Sequence, residues 1–402
     1  MGQTIDKDIV IAGAGMIGAA LACRLLLRQP ALRIAIVEPQ IFKPGYSPTS
    51  FDPRVVALTA ASRDLLQEIG VWSAITSHRY CAYTHMEVWD GEGTGHIHFD
   101  CSDVAEAALG YIVENSIVLE ALLDRLKNAP VSFHCPASVS AINLPAGSDP
   151  ALVILDDSSS MTTSLIVATD GAHSSVRKLA NLETREWSYG HTAIICTVQT
   201  EKSHDFTARQ SFTRHGPLAF LPLQDQSGDT HHCSIVWSVS PDYANTLLAL
   251  TDDDFAAVLA GAFEHRLGKI CHIAPRHSFP LQQRHCKEYY KPGLVVAGDA
   301  AHTIHPLAGQ GVNLGFQDVL ALSDEIDRAM ERGIPFSDVS ILQRYQRRRM
   351  GPNLAMMGAM EGFKQLFSRG ELPLHWLRNE GMNQLDQMPF IKRQLIRQAM
   401  GL

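Results

Sequence analysis

The residues best placed to do chemistry stand near the start of the chain, where Gly13-Ala14-Gly15-Met16-Ile17-Gly18 is followed by Glu38. In a G-x-G-x-x-G turn that joins a strand to a helix, each glycine has a task. Gly13 takes the tight turn, Gly15 lets a pyrophosphate come up to the backbone, and Gly18 lets the helix lie close to the strand. The helix start then offers unpaired N–H groups, and the positive end of its dipole, to the phosphates. Glu38 can accept hydrogen bonds from a ribose diol, and its charge would repel a 2′-phosphate. The adenosine of FAD or NAD therefore fits better than that of NADP. This turn alone does not separate FAD from NAD.

The elements that must position these residues are legible around them. Residues 8–12 form an apolar β-run. Ala19, Leu21, Ala22, Leu25 and Leu26 then recur at helical spacing, and Ile34 to Val37 form a second β-run that ends at Glu38. Strand, glycine turn, helix, strand and acid make a βαβ unit. Further on, residues 55–70 read as a helix ended by Gly70, and residues 84–100 as a hairpin around Asp90-Gly91-Glu92-Gly93. Ile117 to Leu126 read as a helix, and a meander of short β-runs leads to Asp170-Gly171. From about 185 to 285 the pattern changes to alternating β-runs, with one helical insertion near 252–267. The run Leu294 to Ala297 leads into Gly298-Asp299, and helical segments fill the rest. With no repeat and no long linker, two layers are expected to interleave along the chain.

Two later stretches decide the cofactor. One is Asp170-Gly171-Ala172-His173-Ser174-Ser175-Val176-Arg177, directly after a strand. The other is Gly298-Asp299-Ala300-Ala301-His302-Thr303-Ile304-His305-Pro306, continued by Leu307-Ala308-Gly309-Gln310-Gly311-Val312-Asn313. With the N-terminal turn, these stretches make the chain resemble the group A flavoprotein monooxygenases, the para-hydroxybenzoate hydroxylase superfamily. The likeness runs over nearly the whole length. It implies an α/β (mixed α+β) chain, with a Rossmann-type FAD-binding fold and an interleaved β-sheet substrate layer. FAD-binding parts are expected at 1–80, 111–184 and 286–350, substrate-layer parts at 81–110 and 185–285, and a C-terminal helical region at 351–402.

The resemblance also implies roles. Gly13, Gly15, Gly18, Glu38, Arg54, Asp170, Asp299, Gly309, Gly311, Val312 and Asn313 would hold tightly bound, non-covalent FAD. Asp299 can take the ribityl hydroxyls or cap a helix. A helix beginning near Val312 would turn its positive end to the flavin N1–C2 region, where reduced flavin carries negative charge. Asp170 and Arg177, with Gly171, read as a structural pair that fixes a loop between nucleotide and reductant. Where relatives carry glycine after that motif this chain has Asn181, which tolerates a left-handed backbone. Pro306 and His302 are candidates to shape an oxygen pocket, and no general base is assigned.

Phe51-Asp52-Pro53-Arg54-Val55-Val56-Ala57-Leu58, Phe212 to Pro222 and Leu342 to Arg349 are similar to the ubiquinone-biosynthesis branch of that superfamily. The implied chemistry is hydroxylation of a polyprenylated phenol, 2-polyprenyl-6-methoxyphenol, with transient NAD(P)H and O2 by way of a C4a-hydroperoxyflavin. Another ring position, an unrelated small phenol, or a flavin-binding scaffold in an assembly of ubiquinone-biosynthesis proteins stay open.

Composition sets outer bounds. The chain has 402 residues, 46% hydrophobic and 19% charged, within the ordinary globular range. A net charge of −8 gives no support for a nucleic-acid partner. The eight cysteines lack any C-x-x-C pair and read as buried, reduced thiols. The histidine pairs lack a ligand set at metal spacing, so no metal is expected. Neither a signal-peptide pattern nor a bilayer-length apolar run is seen. The expectation is a cytoplasmic protein, with peripheral contact at the inner face of the membrane open. Residues 390–400 form a basic amphipathic helix that would dock on its own core, on a partner or on lipid.

Overall fold

The computed structural model describes residues 5–42, 46–145, 149–303, 310–368 and 372–401, the side chains of 310, 363–368 and 372–378 apart. Its first sheet follows from short runs of buried β-formers. Lys7–Ala12, Ile34–Val37, Ser160–Ala168 and Leu294–Val296 pair in parallel, with Ile11 opposite both Ile36 and Val167, and Val167 opposite Val295. All four residues of Ile34–Val37 are buried, as a strand covered on both faces requires.

The helices are α1 (Met16–Arg28), α2 (Ala60–Glu68), α3 (Trp72–Thr76), α4 (Asn115–Lys127), α5 (Ser175–Leu179), α6 (Pro241–Ala249), α7 (Asp252–Ala262), α8 (Gln310–Glu331), α9 (Val339–Ser368), α10 (Leu372–Asp386) and α11 (Pro389–Met400). α1 packs against both α4 and α8, burying Leu21 and Leu25 completely.

A second sheet has nine strands and is mostly antiparallel, centred on Thr184–Thr200, His232–Val239 and Gly216–Leu223. The hairpin His85–Asp90/His96–Asp100 joins it through a parallel pairing with Thr207–Thr213. The layers therefore interleave, as expected. Two local readings are corrected. Residues 55–58 form a strand paired with Gly110–Glu114, not the start of a helix; α2 begins only after Thr59, whose side chain accepts from Ser62 N. Apolar spacing over so short a run fits either state, and pairing decides it. The single helical insertion is two helices, each with its own N-cap: Ser240 accepts from Tyr243 N, and Thr251 from Asp254 N. The cysteines also depart from expectation, since Cys135 and Cys271 are exposed.

The chain passes between the two large sheets more than once, and one of these passages carries the Gly298-Asp299 turn. Leu294–Val296 lies in the first sheet, whereas His302–Thr303 pairs with Arg284 and His285 in the second. Between them sits the Gly298-Asp299 turn, and Asp318 of α8 clamps it. One Asp318 carboxylate oxygen accepts from Gly298 N at 2.9 Å and lies 2.6 Å from His302 Nε2; the other accepts from Arg349 Nε at 2.6 Å. Arg349 also bonds Asn353, whose amide donates to the Tyr289 hydroxyl, itself 3.0 Å from His285 Nε2. Burial works to raise the Asp318 carboxyl, but His302 and Arg349 hold it below the ordinary aspartate value. Burial, then the nearby His302, pushes His285 down to about 4, so it is neutral at pH 7.

Two outcomes are expected. Asp318→Ala leaves Arg349 and His302 without their buried partner and should cost about 3–5 kcal/mol in urea unfolding; a cost below about 1 kcal/mol would remove the clamp. Gly18→Ala places a Cβ 2.0 Å from Gly13 O, against backbone that has no room to yield. Its cost should reach about 3 kcal/mol or more, and a wild-type melting temperature would contradict that.

Candidate active site

The glycine turn joins its strand to α1 with the geometry the spacing suggested. Gly13 has φ +99°, and a side chain there would strike Thr169 O at 2.6 Å. Nothing lies within 4 Å of a Cβ built on Gly15. That position is open, and α1 starts beside it with no side-chain cap. Its first N–H groups are thus available to phosphate. Glu38 sits at the end of its strand with one oxygen accepting from Ala14 N at 2.8 Å and the other from Gln40 N at 3.0 Å. A carboxylate has acceptor capacity left over for ribose hydroxyls.

Asp170 and Arg177 fix their loop separately rather than as a pair, which corrects the expectation of a direct link. Asp170 Oδ2 accepts from Ser175 N and Val176 N, capping α5. Arg177 donates to the carbonyls of Ala172 and Ala300, both at 2.9 Å, tying α5 to the Gly298-Asp299 turn. Burial lowers its pKa, but it remains a cation. Asp170 Oδ1 has no hydrogen-bond partner among the described residues. Gly171 takes φ +81° and Asn181 φ +50°, so the asparagine does adopt the left-handed turn.

A cavity of about 890 Å³ is lined by the Gly298-Asp299 turn, the start of α8, the second sheet and the C-terminal helices. Arg54, Asp299, Gly311 and Val312 all line it. Asp299 is the only carboxylate among the described lining residues, and it is exposed to the cavity alone of its turn. The protein packed around it raises its carboxyl, as does the charge of Asp318, against the opposing pull of His302. Both facts describe one position, on the wall of a deep cleft.

Arg54 is aimed by Asp52, which accepts from Arg54 N and, through its second oxygen, from Ser116 N at the start of α4. The Arg54 guanidinium has no hydrogen bond to the described residues. Asn115 also lines the cavity, and its Oδ1 is without a partner. An open glycine cradle, a helix start without a cap, a spare cation and orphaned acceptors together suit a dinucleotide flavin.

Other expectations end elsewhere. His302 is 1% exposed and held by Asp318, behind the turn and away from the cavity lining, so its part is to hold the turn. The Asn313 side chain is turned inward, accepting from Thr59 N and Ser62 Oγ and donating to Ala57 O, which pins α8 to the strand 55–58 and α2. Pro306 and Gly309 lie outside the described residues. Sequence reasoning missed Asp318, Arg349 and Asn115. A signal for Asp318 existed: it is an acid within the apolar face formed by Phe316, Val319 and Leu322.

Comparison with known proteins agrees with this geometry. The FAD binding domain family matches residues 6–353. Escherichia coli 3-demethoxyubiquinol 3-hydroxylase is 37% identical over 98% of both chains. The Xenopus tropicalis ubiquinone biosynthesis monooxygenase COQ6, mitochondrial, is 32% identical over 97% of this chain and 92% of its own. Among solved structures, p-nitrophenol 4-monooxygenase PnpA from Pseudomonas putida shares the fold with a TM-score of 0.77 over 99% of both chains, at 18% identity. PqsL from Pseudomonas aeruginosa, a probable FAD-dependent monooxygenase, does so with 0.77 over 94% of this chain and 99% of its own. The chain thus belongs to the FAD binding domain family and is an FAD-dependent monooxygenase.

Proposed function

We propose that the protein hydroxylates the ring of a polyprenylated phenol or quinol in ubiquinone biosynthesis, 2-polyprenyl-6-methoxyphenol being the candidate substrate. The single observation that carries this reading is the cavity. It starts at Asp299, Gly311 and Val312 and continues between walls of Val56, Ile112, Leu221, Val236 and Phe279, far more apolar than a small polar phenol requires. The names of the relatives, a demethoxyubiquinol hydroxylase and a ubiquinone biosynthesis monooxygenase, support the same substrate class.

FAD, when bound and reduced by NAD(P)H, supplies the activation of O2, one atom of which goes to the ring and the other to water. The chain's own residues do the rest. Gly311 and Val312 set the N-terminal end of α8 at the cavity, where its dipole favours negative charge. Asp299 and Arg54 line the same space, one an acceptor for hydroxyls and the other a cation for oxygen-rich groups. The apolar walls exclude water and hold the ring. Tyr83, also on the wall, is pushed by burial up to about 12 and stays protonated, so it can donate a hydrogen bond but does not take a proton near neutral pH.

A lipid-borne substrate also favours peripheral contact with a membrane. No helix among the described residues is long and apolar enough to cross one. At the start of α11, however, Phe390 is 82% exposed and Ile391 45%, beside exposed Arg393 and Arg397 and with no acid from 389 to 400. That combination suits an anionic surface.

Three measurements test these points. The purified protein should oxidise NAD(P)H several-fold faster when a prenylated methoxyphenol is added in air, with hydroxylated product detected by mass spectrometry; a rate indifferent to the phenol would overturn the assignment. Gly15→Ala should keep the wild-type melting temperature of the FAD-free protein yet weaken FAD at least tenfold in a fluorescence titration, whereas unchanged affinity would place the phosphates elsewhere. Phe390→Asp with Ile391→Asp should abolish flotation with phosphatidylglycerol vesicles, and persistence of flotation would count against α11 as the contact.

A further inference from the structure

The cavity extends well beyond the space a ring needs. One of its walls is built by the C-terminal helices: α10 contributes Gly381, Met382 and Leu385, and α11 contributes Leu395, Ile396, Ala399 and Met400. α9 adds Met356 and Met360. With Met86, five of the chain's 12 methionines line this one cavity. Methionine is unbranched, polarizable and adaptable, which suits a ligand that is apolar but conformationally variable.

The attachment of this wall is as informative as its lining. His96–Asp100 is the last strand of the second sheet, and its outer side would present unpaired N–H groups to water. α10 meets that edge with side chains. Asn379 Oδ1 accepts from Gly95 N at 2.5 Å, Asn383 Oδ1 from His96 N at 3.1 Å, and Asp386 Oδ1 from His98 N at 3.0 Å. The three residues share one helix face; His96 and His98, alternate residues of the strand, turn their N–H groups the same way, and Gly95 donates from the turn just before it. Lys392 of α11 adds ion pairs to Asp103 and Asp386 at 3.5 and 3.3 Å. Ile396 and Met400 pack on Ala60, Val104 and Leu109, a small cluster separate from the main core. The wall thus stands at a position set by directional bonds to a strand edge.

We propose that this wall is the seat of the substrate's isoprenoid tail and determines the preference for tailed over tail-less rings. The inference rests on the reading of the substrate as a prenylated phenol and assigns its specificity to α9–α11. Leu385 and Met360 are half-exposed toward the cavity from two different helices, so a larger side chain at either fills the seat without entering the core. Asn383 acts at one remove, as a positioning residue for α10.

The test compares two probes, 2-methoxyphenol and the same ring carrying a farnesyl tail, by equilibrium binding to the FAD-loaded protein and by turnover. Wild type should bind the tailed probe at least tenfold more tightly. Leu385→Trp and Met360→Trp should each reduce that ratio at least tenfold, because blocking the burial of two or so methylene groups suffices. Asn383→Ala should reduce it in the same direction, with FAD content and melting temperature reporting that each variant is folded. Equal binding of both probes to wild type overturns the seat, and so does a ratio unmoved in both tryptophan variants. A tailed probe that binds selectively but is not hydroxylated leaves the seat standing and sinks the proposed reaction instead.

Discussion

A carboxylate with no access to solvent cannot be left alone, and Asp318 is fully buried. Isolated burial of its charge would cost far more than a single domain's stability, so its three partners are obligatory. They come from different places: a backbone N–H at Gly298, a ring nitrogen at His302 and the guanidinium of Arg349. The first two bracket the turn that carries Asp299, and the third belongs to α9. One side chain therefore fixes how the first sheet hands the chain to the second, and how α8 and α9 stand against both. The cavity lined by Asp299 and Thr303 lies on the open side of that joint.

The same joint explains the electrical character of the site. Charged groups near the turn are mostly consumed behind it: Arg177 on the carbonyls of Ala172 and Ala300, Arg284 on Glu186, and Arg349 on Asp318. Asp299, Arg54 and the start of α8 are left to face a cavity whose walls are mostly apolar, with Asn115, Arg209 and Gln210 among the polar exceptions. In such surroundings a fixed dipole or a lone cation acts more strongly than in water. Strong electrostatics beside Asp299 and Arg54 and a dry, apolar interior elsewhere are two results of one arrangement.

What the sequence disclosed, and what it withheld, follows from the range of the interactions. The glycine turn, Glu38, the hairpin at 84–100 and the left-handed Asn181 depend on neighbours a few residues away, and each stands where the residues indicated. The strand at 55–58 depends on a partner at 110–114, so its four residues looked equally helical. Asn313 and His302 sit in the expected motif, yet their side chains turn to Thr59 and Asp318, partners that no local pattern names. Arg177 holds its loop through the nearby Ala172 carbonyl but also reaches Ala300, more than a hundred residues on, which no local pattern names. Local motifs set the turns, and long-range hydrogen bonds decide which way their side chains face.

The C-terminal helices show how one solution can meet two demands. A sheet that ends in an open strand invites pairing with other chains, and natural proteins cover or charge such edges. Covering it with another strand would continue the sheet and leave the cavity open at its side. A helix that bonds the edge only through Asn379, Asn383 and Asp386 satisfies the N–H groups and also stands off far enough to present Met382 and Leu385 to the interior. The length of a polar side chain then becomes the spacer that sets the width of the cavity. Shortening it would either expose the edge or narrow the space, so edge protection and room for a bulky apolar ligand are coupled through the same three residues.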